Sequence, residues 1–311
     1  MKKLLIAFIM LLATVAWANR IVTVTVPFPP GGATDRAWRT LATMLTLDLK
    51  SKGIELVTDY RVGAGGAIGA NWVAKTPQGQ TRLLFTSSSI AIAPWINSSI
   101  DYQASDFVAL ANLGSLPMIV VVPESGPNSW LQFKALCNVR EFTFGSSAPG
   151  SVTHLMAESV SSAGNCNATS VPYKNSNSAS FDLIAGRLSY VVDFASGGTM
   201  SQVLDGKLQA VFVIGQHRLS SLPNVPTSLE LGLDLNKIKN WQGFFANAHA
   251  NPSDLQSVKE SLVLVLSNPA NIEIFKQQGL EGVGQKITPT WLGENFQYYQ
   301  NQFKKSDKKI K

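Results

Sequence analysis

The chain has 311 residues, 45% of them hydrophobic and 15% charged, with a formal charge of +6. This is enough chain for two domains, and the composition excludes a disordered or fibrous protein. A mild positive surplus favours anionic solutes, but no basic stripe interleaved with aromatics accompanies it, which argues against a nucleic-acid partner.

Met1-Lys2-Lys3 is a basic n-region, residues 4–15 an apolar h-region, and Ala16-Trp17-Ala18 an A-x-A cleavage signal. Together they predict a signal peptide over 1–18, cut after Ala18. The alternative, an N-terminal anchor, needs a longer apolar run. No cysteine follows the cut, so a lipid anchor is not expected. No later run of 18 apolar residues occurs, so the mature chain is expected to be soluble and exported.

Next comes Val22-Thr-Val-Thr-Val-Pro-Phe-Pro-Pro-Gly-Gly-Ala-Thr-Asp35. Its first half alternates β-branched residues and reads as a strand. Pro27, Pro29 and Pro30 cannot donate to a ladder, so the strand stops there. Gly31-Gly32 gives a backbone free to turn and to come close to a ligand. From Thr34 a helical period begins, with Trp38, Leu41, Leu45 and Leu49 on one face. A helix start presents unpaired N–H groups and a positive dipole end, which suits an anion.

Residues 54–60 read as a second strand. The glycines at 63, 65, 66 and 69 fail the G-x-G-x-x-G spacing, because Ile68 stands where glycine is needed, so no dinucleotide site is read there. That stretch is a turn into a helix through Ala70 and Val73. A third strand covers 82–86 and ends at Ser87-Ser88-Ser89. Successive strand-helix units predict a parallel sheet, with ligands at the strand carboxyl ends.

Residues 107–113 and 118–122 read as strands that pass from one domain to another. A second block follows: helix 130–137, strand 141–144, small-residue loop 145–154 opening a helix, strand 169–172, helix 178–185, strand 188–193, loop 194–199, helix 200–204 and strand 208–214. The chain then returns to the first domain with a strand over 241–246 and helices over 252–266, 272–278 and 289–305. Five lysines crowd residues 304–311, which reads as a solvated end.

The only cysteines are Cys137 and Cys166, too few for a four-ligand zinc site. In an oxidising compartment they can pair; the alternative is two separate thiols. Each follows a helix and precedes a strand. If those strands are neighbours, both cysteines lie at the sheet's amino-terminal edge, remote from a ligand cleft. A Cys137–Cys166 disulfide is predicted on position and compartment.

Val26-Pro-Phe-Pro-Pro-Gly-Gly-Ala-Thr-Asp35 resembles the signature loop of the Bug-type periplasmic substrate-binding proteins of tripartite tricarboxylate transporters. Further matches follow in order: Arg61-Val-Gly-Ala-Gly-Gly-Ala-Ile-Gly69, Thr86-Ser-Ser88, Ser146-Ser-Ala-Pro-Gly-Ser-Val-Thr-His154, Val171-Pro-Tyr-Lys174 and Leu222-Pro-Asn-Val-Pro-Thr227. The resemblance spans essentially the whole mature chain. Two departures are Asn175, where glycine often stands, and a glycine-rich loop after Asp193. The resemblance implies an α/β, two-lobed, flytrap-like periplasmic-binding-protein fold. Each lobe is a mainly parallel sheet flanked by helices, with a ligand cleft between them. Lobe 1 is expected over 19–117 and 215–311, and lobe 2 over 118–214. It also implies a periplasmic monomer that binds a small organic acid and delivers it to membrane permease subunits. No catalysis, cofactor or metal is implied.

A carboxylate needs several N–H donors. Gly31, Gly32, Ala33 and Thr34 offer backbone N–H groups as the first candidate cradle and the Thr34 hydroxyl adds a donor, with Pro30 beside them, Phe28 as an apolar wall and Ser87 and Ser88 adding hydroxyls. In the second lobe Ser147, Ser151, Thr153 and His154 form the counterpart. Asp193 ends a strand; a carboxylate there repels an acid but holds an amine or hydroxyl. For each of these a turn, cap or packing role is the plain alternative. Two other functions are open to the chain, the first of which the sequence does not separate from transport. One keeps the fold as a sensor for a membrane signalling protein. The other is an exported serine hydrolase using Ser147 and His154, but Gly145-Ser-Ser-Ala-Pro149 lacks the last glycine of G-x-S-x-G.

Overall fold

The computed structural model describes residues 20–147, 149–174, 176–235 and 238–305. The leader at 1–18, Asn175 and the tail beyond 305 lie outside the described residues.

Strand β1 (Arg20–Val26) ends at Pro27, and helix α1 (Ala33–Ser51) follows. Trp38, Leu41, Leu45 and Leu49 are each at most 1% exposed. Burial of one such leucine contributes roughly 1.5–3 kcal/mol. The chain continues through β2 (Ile54–Tyr60), α2 (Ala67–Ala74), β3 (Arg82–Ser87), α3 (Ser89–Ile96) and β4 (Phe107–Asn112). It then crosses into a second unit: β5 (Met118–Pro123), α4 (Trp130–Cys137), β6 (Phe142–Ser146), α5 (Val152–Gly164), β7 (Ala168–Pro172), α6 (Ser176–Ile184), β8 (Tyr190–Phe194), α7 (Gly197–Leu204) and β9 (Leu208–Ile214). A longer segment leads back to β10 (Gln242–Asn247), α8 (Pro252–Ser267), α9 (Pro269–Gln277) and α10 (Trp291–Lys305).

Among the described residues the strands form two five-stranded sheets with the same plan, β2-β1-β3-β10-β4 and β7-β6-β8-β5-β9. In the first, β1 is parallel to β2 and β3, while β10 is antiparallel to β3 and β4. In the second, β6 is parallel to β7 and β8, while β5 is antiparallel to β8 and β9. In each sheet, therefore, four strands run one way, and the strand that arrives from the other unit runs against them. The short link from β4 to β5 makes this necessary. The chain leaves lobe 1 at a strand's carboxyl end and starts β5 from that same side. The carboxyl ends of the other strands in both sheets face the space between the lobes, where ligands of such sheets bind.

Trp38, Phe85 and Phe244 pack together in lobe 1, with ring centroids 5.6–6.1 Å apart. Phe133, Phe142, Phe144 and Tyr190 do the same in lobe 2. One apolar cluster spans both lobes and includes Ala67, Ala70 and Ile90 of lobe 1 and Val152, Leu155 and Met156 of lobe 2. Helix α3 follows a stretch where the sequence pattern predicts only the end of a strand. It is apolar on every side and carries Pro94, so neither period shows in its sequence.

Cys137, at the end of α4, is bonded to Cys166, with Cα atoms 5.0 Å apart. Each precedes a strand start, Phe142 or Ala168, so the bond lies at the end of the lobe 2 sheet away from the other lobe.

Candidate functional site

The turn after β1 is shaped by Asp35. This side chain is 1% exposed. Its Oδ2 accepts from the Gly31 N–H at 2.7 Å and from Arg39 Nε at 2.8 Å. Its Oδ1 accepts from the Tyr60 hydroxyl at 2.6 Å. Burial pushes the Asp35 carboxyl up, but the bonds from Tyr60, Arg39 and Gly31 together hold it below the ordinary carboxylate range. Gly31 sits at φ +80°, a left-handed conformation that favours glycine. Gly32 sits at φ −70° and ψ 170°, which any residue adopts. The Gly32 N–H donates to the Pro29 carbonyl at 3.3 Å. Two of the four N–H groups expected to face a ligand are thus spent inside the turn. Those of Ala33 and Thr34, at the start of α1, meet no acceptor among the described residues.

In lobe 2, Ser151 caps α5: its Oγ accepts from the His154 N–H at 3.3 Å. Ser151 Oγ also lies 3.1 Å from Thr153 Oγ1, which accepts from the Ser147 N–H at 3.3 Å. A third loop follows β8. Asp193 Oδ1 accepts from the Phe194 N–H at 2.8 Å, and Oδ2 accepts from the Thr199 hydroxyl at 2.5 Å. These bonds set the start of α7, with Ser196 as its cap residue.

The starts of α1, α5 and α7 meet at a cavity of about 230 Å³ between the lobes. Phe28, Pro30, Gly31, Gly32, Ala33, Thr34, Ser87, Ser147, Ser151, Thr153 and Asp193 line it. Ser88 and His154 do not. Ser88 is the cap residue of α3 and fully buried. His154 follows Thr153 by one residue, about 100° around the helix, and is turned into the lobe. Its Nδ1 accepts from the Gly150 N–H at 3.3 Å, and its Nε2 lies 3.6 Å from Glu158 Oε1. Burial lowers its pKa and favours the neutral ring. Neither ring nitrogen is bonded to Ser147 among the described residues.

Arg36, Lys174, Gly65, Gly66 and Ser196 also line the cavity, and sequence reasoning missed them as ligand contacts. Arg36 carried a usable signal. A cation in the first turn of a helix opposes the dipole, and such local conflicts mark functional positions. A Cβ on Gly66 would meet Phe28 Cζ at 3.1 Å, and one on Gly65 would meet the Gly150–Ser151 backbone at 3.4 Å. These glycines let the aromatic wall and the opposite lobe come close. Burial holds Arg36 below the ordinary guanidinium range, while Asp193 and Asp35 oppose that drop; an arginine stays charged. Among the described residues that line the cavity, two cations and three helix starts therefore stand against the one carboxylate of Asp193. Among the described residues no group of three or more His, Cys, Asp or Glu side chains could hold a metal ion.

Two α/β lobes with strand carboxyl ends facing one cavity define the class as that of periplasmic binding proteins. The structure of the periplasmic binding protein BugD aligns with a TM-score of 0.82 at 25% identity, covering 92% of this chain and 97% of that one. The chain belongs to the family described as "Tripartite tricarboxylate transporter family receptor", which it matches over residues 41–311. That span begins within α1, after the turn at 27–32. The protein BugT of Bordetella pertussis (strain Tohama I) is 30% identical over 84% of this chain and 80% of its own. The structure of R. palustris Rpa4515 with adipate shares the fold, with a TM-score of 0.80 at 24% identity over 93% of this chain and 96% of that one. Family and fold are those of substrate-binding proteins. Among the described residues no helix is long and apolar enough to cross a membrane.

Proposed function

We propose that this protein is an extracytoplasmic receptor that binds a small organic carboxylate between its lobes and delivers it to the permease of a tripartite tricarboxylate-type transporter. The observation that carries this reading is the convergence of three helix N-termini, with Arg36 and Lys174, on one cavity. Fixed N–H dipoles and flexible cations are the groups that replace water around a carboxylate. Ala33, Thr34 and Ser87 would hold it from lobe 1, and Ser147, Ser151 and Thr153 from lobe 2. Asp193 would accept from a hydroxyl or amine on the same ligand. A cavity of about 230 Å³ suits a molecule of a few carbon atoms, and the neighbour solved with adipate holds an acid of that kind. In this reading the leader is cut after Ala18 and the receptor works in the periplasm, with lobe 1 over 19–117 and 215–311 and lobe 2 over 118–214.

The test is thermal unfolding against a panel of mono-, di- and tricarboxylates, followed by calorimetric titration of those that stabilise. An acid at 100 times its Kd should add about 2.7 kcal/mol to the stability. A panel without a single stabilising acid, alongside turnover of a simple ester, would overturn the receptor reading.

A further inference from the structure

Arg36 reaches across the cavity. It belongs to lobe 1, in the first turn of α1, yet its Nη2 donates to Ser196 Oγ of lobe 2 at 3.1 Å. Its Nη1 donates to the Gly31 carbonyl at 2.7 Å. That second bond fixes the guanidinium on the same turn that Asp35 shapes from the other side.

Lobe 2 is shaped to receive it. Gly197 follows Ser196 at φ +71°, where a side chain is strained whatever the space. A Cβ at Gly197 would also meet Arg36 Cζ at 2.6 Å and both terminal nitrogens closer still. The guanidinium thus lies flat on a backbone step that only glycine leaves open. Asp193, three residues before Ser196, supports the Arg36 charge electrostatically.

The contact also divides two spaces. Arg36 and Ser196 line the 230 Å³ cavity and, on their other side, a groove of about 1560 Å³. The groove is bounded by both crossing segments, with Gly114, Ser115, Gly215 and Asn240 among its walls. The arginine therefore stands between the inner cavity and the hinge side of the molecule.

We propose that Arg36, seated on Gly197 and bonded to Ser196, is the latch that holds the two lobes closed and shuts the inner cavity from the groove. A guanidinium is suited to this work. It stays charged, its planar fork serves two acceptors in fixed directions, and its bonds to neutral oxygens are charge-assisted. A lysine in its place offers one point charge and cannot hold both oxygens in this geometry. The latch rests on the receptor reading for its biological meaning, but not for its test.

The test places a donor and an acceptor dye on Leu47→Cys of lobe 1 and Leu131→Cys of lobe 2, two side chains that are 82% and 77% exposed. The native cysteines are paired and stay unlabelled. Energy transfer in single molecules then gives the closed-to-open ratio of the full chain, without acid and with 10 mM adipate. Arg36→Gln and Ser196→Ala should lower that ratio about tenfold in whichever condition the parent closes, in line with loss of a charge-assisted bond. Gly197→Ala should do the same by expelling the guanidinium, and Arg36→Lys should recover only part of the loss. Circular dichroism melts confirm folding, and Ser196→Ala keeps the test decisive if Gly197→Ala does not fold. A ratio unchanged in Arg36→Gln, or a parent that stays open in both conditions, overturns the latch. Calorimetry with the same acids separates the two ideas. Acid binding with unaltered closure in Arg36→Gln removes the latch and leaves the receptor. A closed ratio that falls in Arg36→Gln, with no acid bound by the parent, leaves the latch and removes the receptor.

Discussion

Replacing Asp35 with alanine should cost both stability and ligand affinity, for one reason. The carboxylate is the acceptor for three donors, the Gly31 N–H, Tyr60 and Arg39. Arg39 is 62% exposed, so it turns to water and adds little. The Gly31 N–H and the Tyr60 hydroxyl are partly buried, and leaving each unsatisfied costs roughly 1–3 kcal/mol. The two share one acceptor and do not add fully, so the expected loss is about 3 kcal/mol. The turn that positions Ala33 and Thr34 is also released, and acid affinity should fall at least tenfold. Asp35→Asn keeps an acceptor for Gly31 and should lose less on both counts. The pH dependence has a definite sign. The folded pKa of Asp35 lies below the unfolded value of about 3.9, so the unfolded chain takes up the proton first. The contribution is complete above that value and disappears as pH falls through the lower folded pKa. The gap between parent and Asp35→Ala in urea unfolding should therefore be full at pH 7 and shrink below about pH 4. A gap under about 0.5 kcal/mol at pH 7, the size of an ordinary surface substitution, would refute this account of the turn.

Gly31→Ala meets no atom within 4 Å but forces alanine to φ +80°, costing roughly 1–2 kcal/mol. Urea unfolding should register that loss and titration a weaker acid affinity, whereas an unchanged protein would show that the turn's shape is not what seats the anion. Cys137→Ala with Cys166→Ala removes a link spanning 29 residues. The chain-entropy model gives a loss of roughly 3–4 kcal/mol, seen as a lower unfolding temperature by calorimetry. The bond lies within lobe 2 at the strand ends away from the cavity, so acid affinity should not change, and a large fall in affinity would contradict that placement.

The local pattern of this chain is legible residue by residue. A β-branched run stopped by Pro27, a Gly-Gly turn and a 3.6-residue apolar period from Trp38 specify strand, loop and helix with no distant contact needed. The same logic places Ser147, Ser151 and Thr153 at a helix start in the second half, because strand, small-residue loop and helix recur there. What the residues cannot announce is direction. The Gly31 N–H is a candidate donor by sequence, but folding turns it onto Asp35 and leaves Ala33 and Thr34 to face the cavity. His154 stands one residue beyond Thr153, and the helical twist carries it away from the cavity into the lobe. Arg36, Ser196 and Gly197 acquire their relation only when two lobes, separated by 160 positions in the chain at that contact, come together. Sequence period fixes which face of an element is apolar, since that depends on neighbours three or four places apart. Which polar groups meet across a cleft depends on how whole lobes are set against each other, and only the tertiary structure decides that.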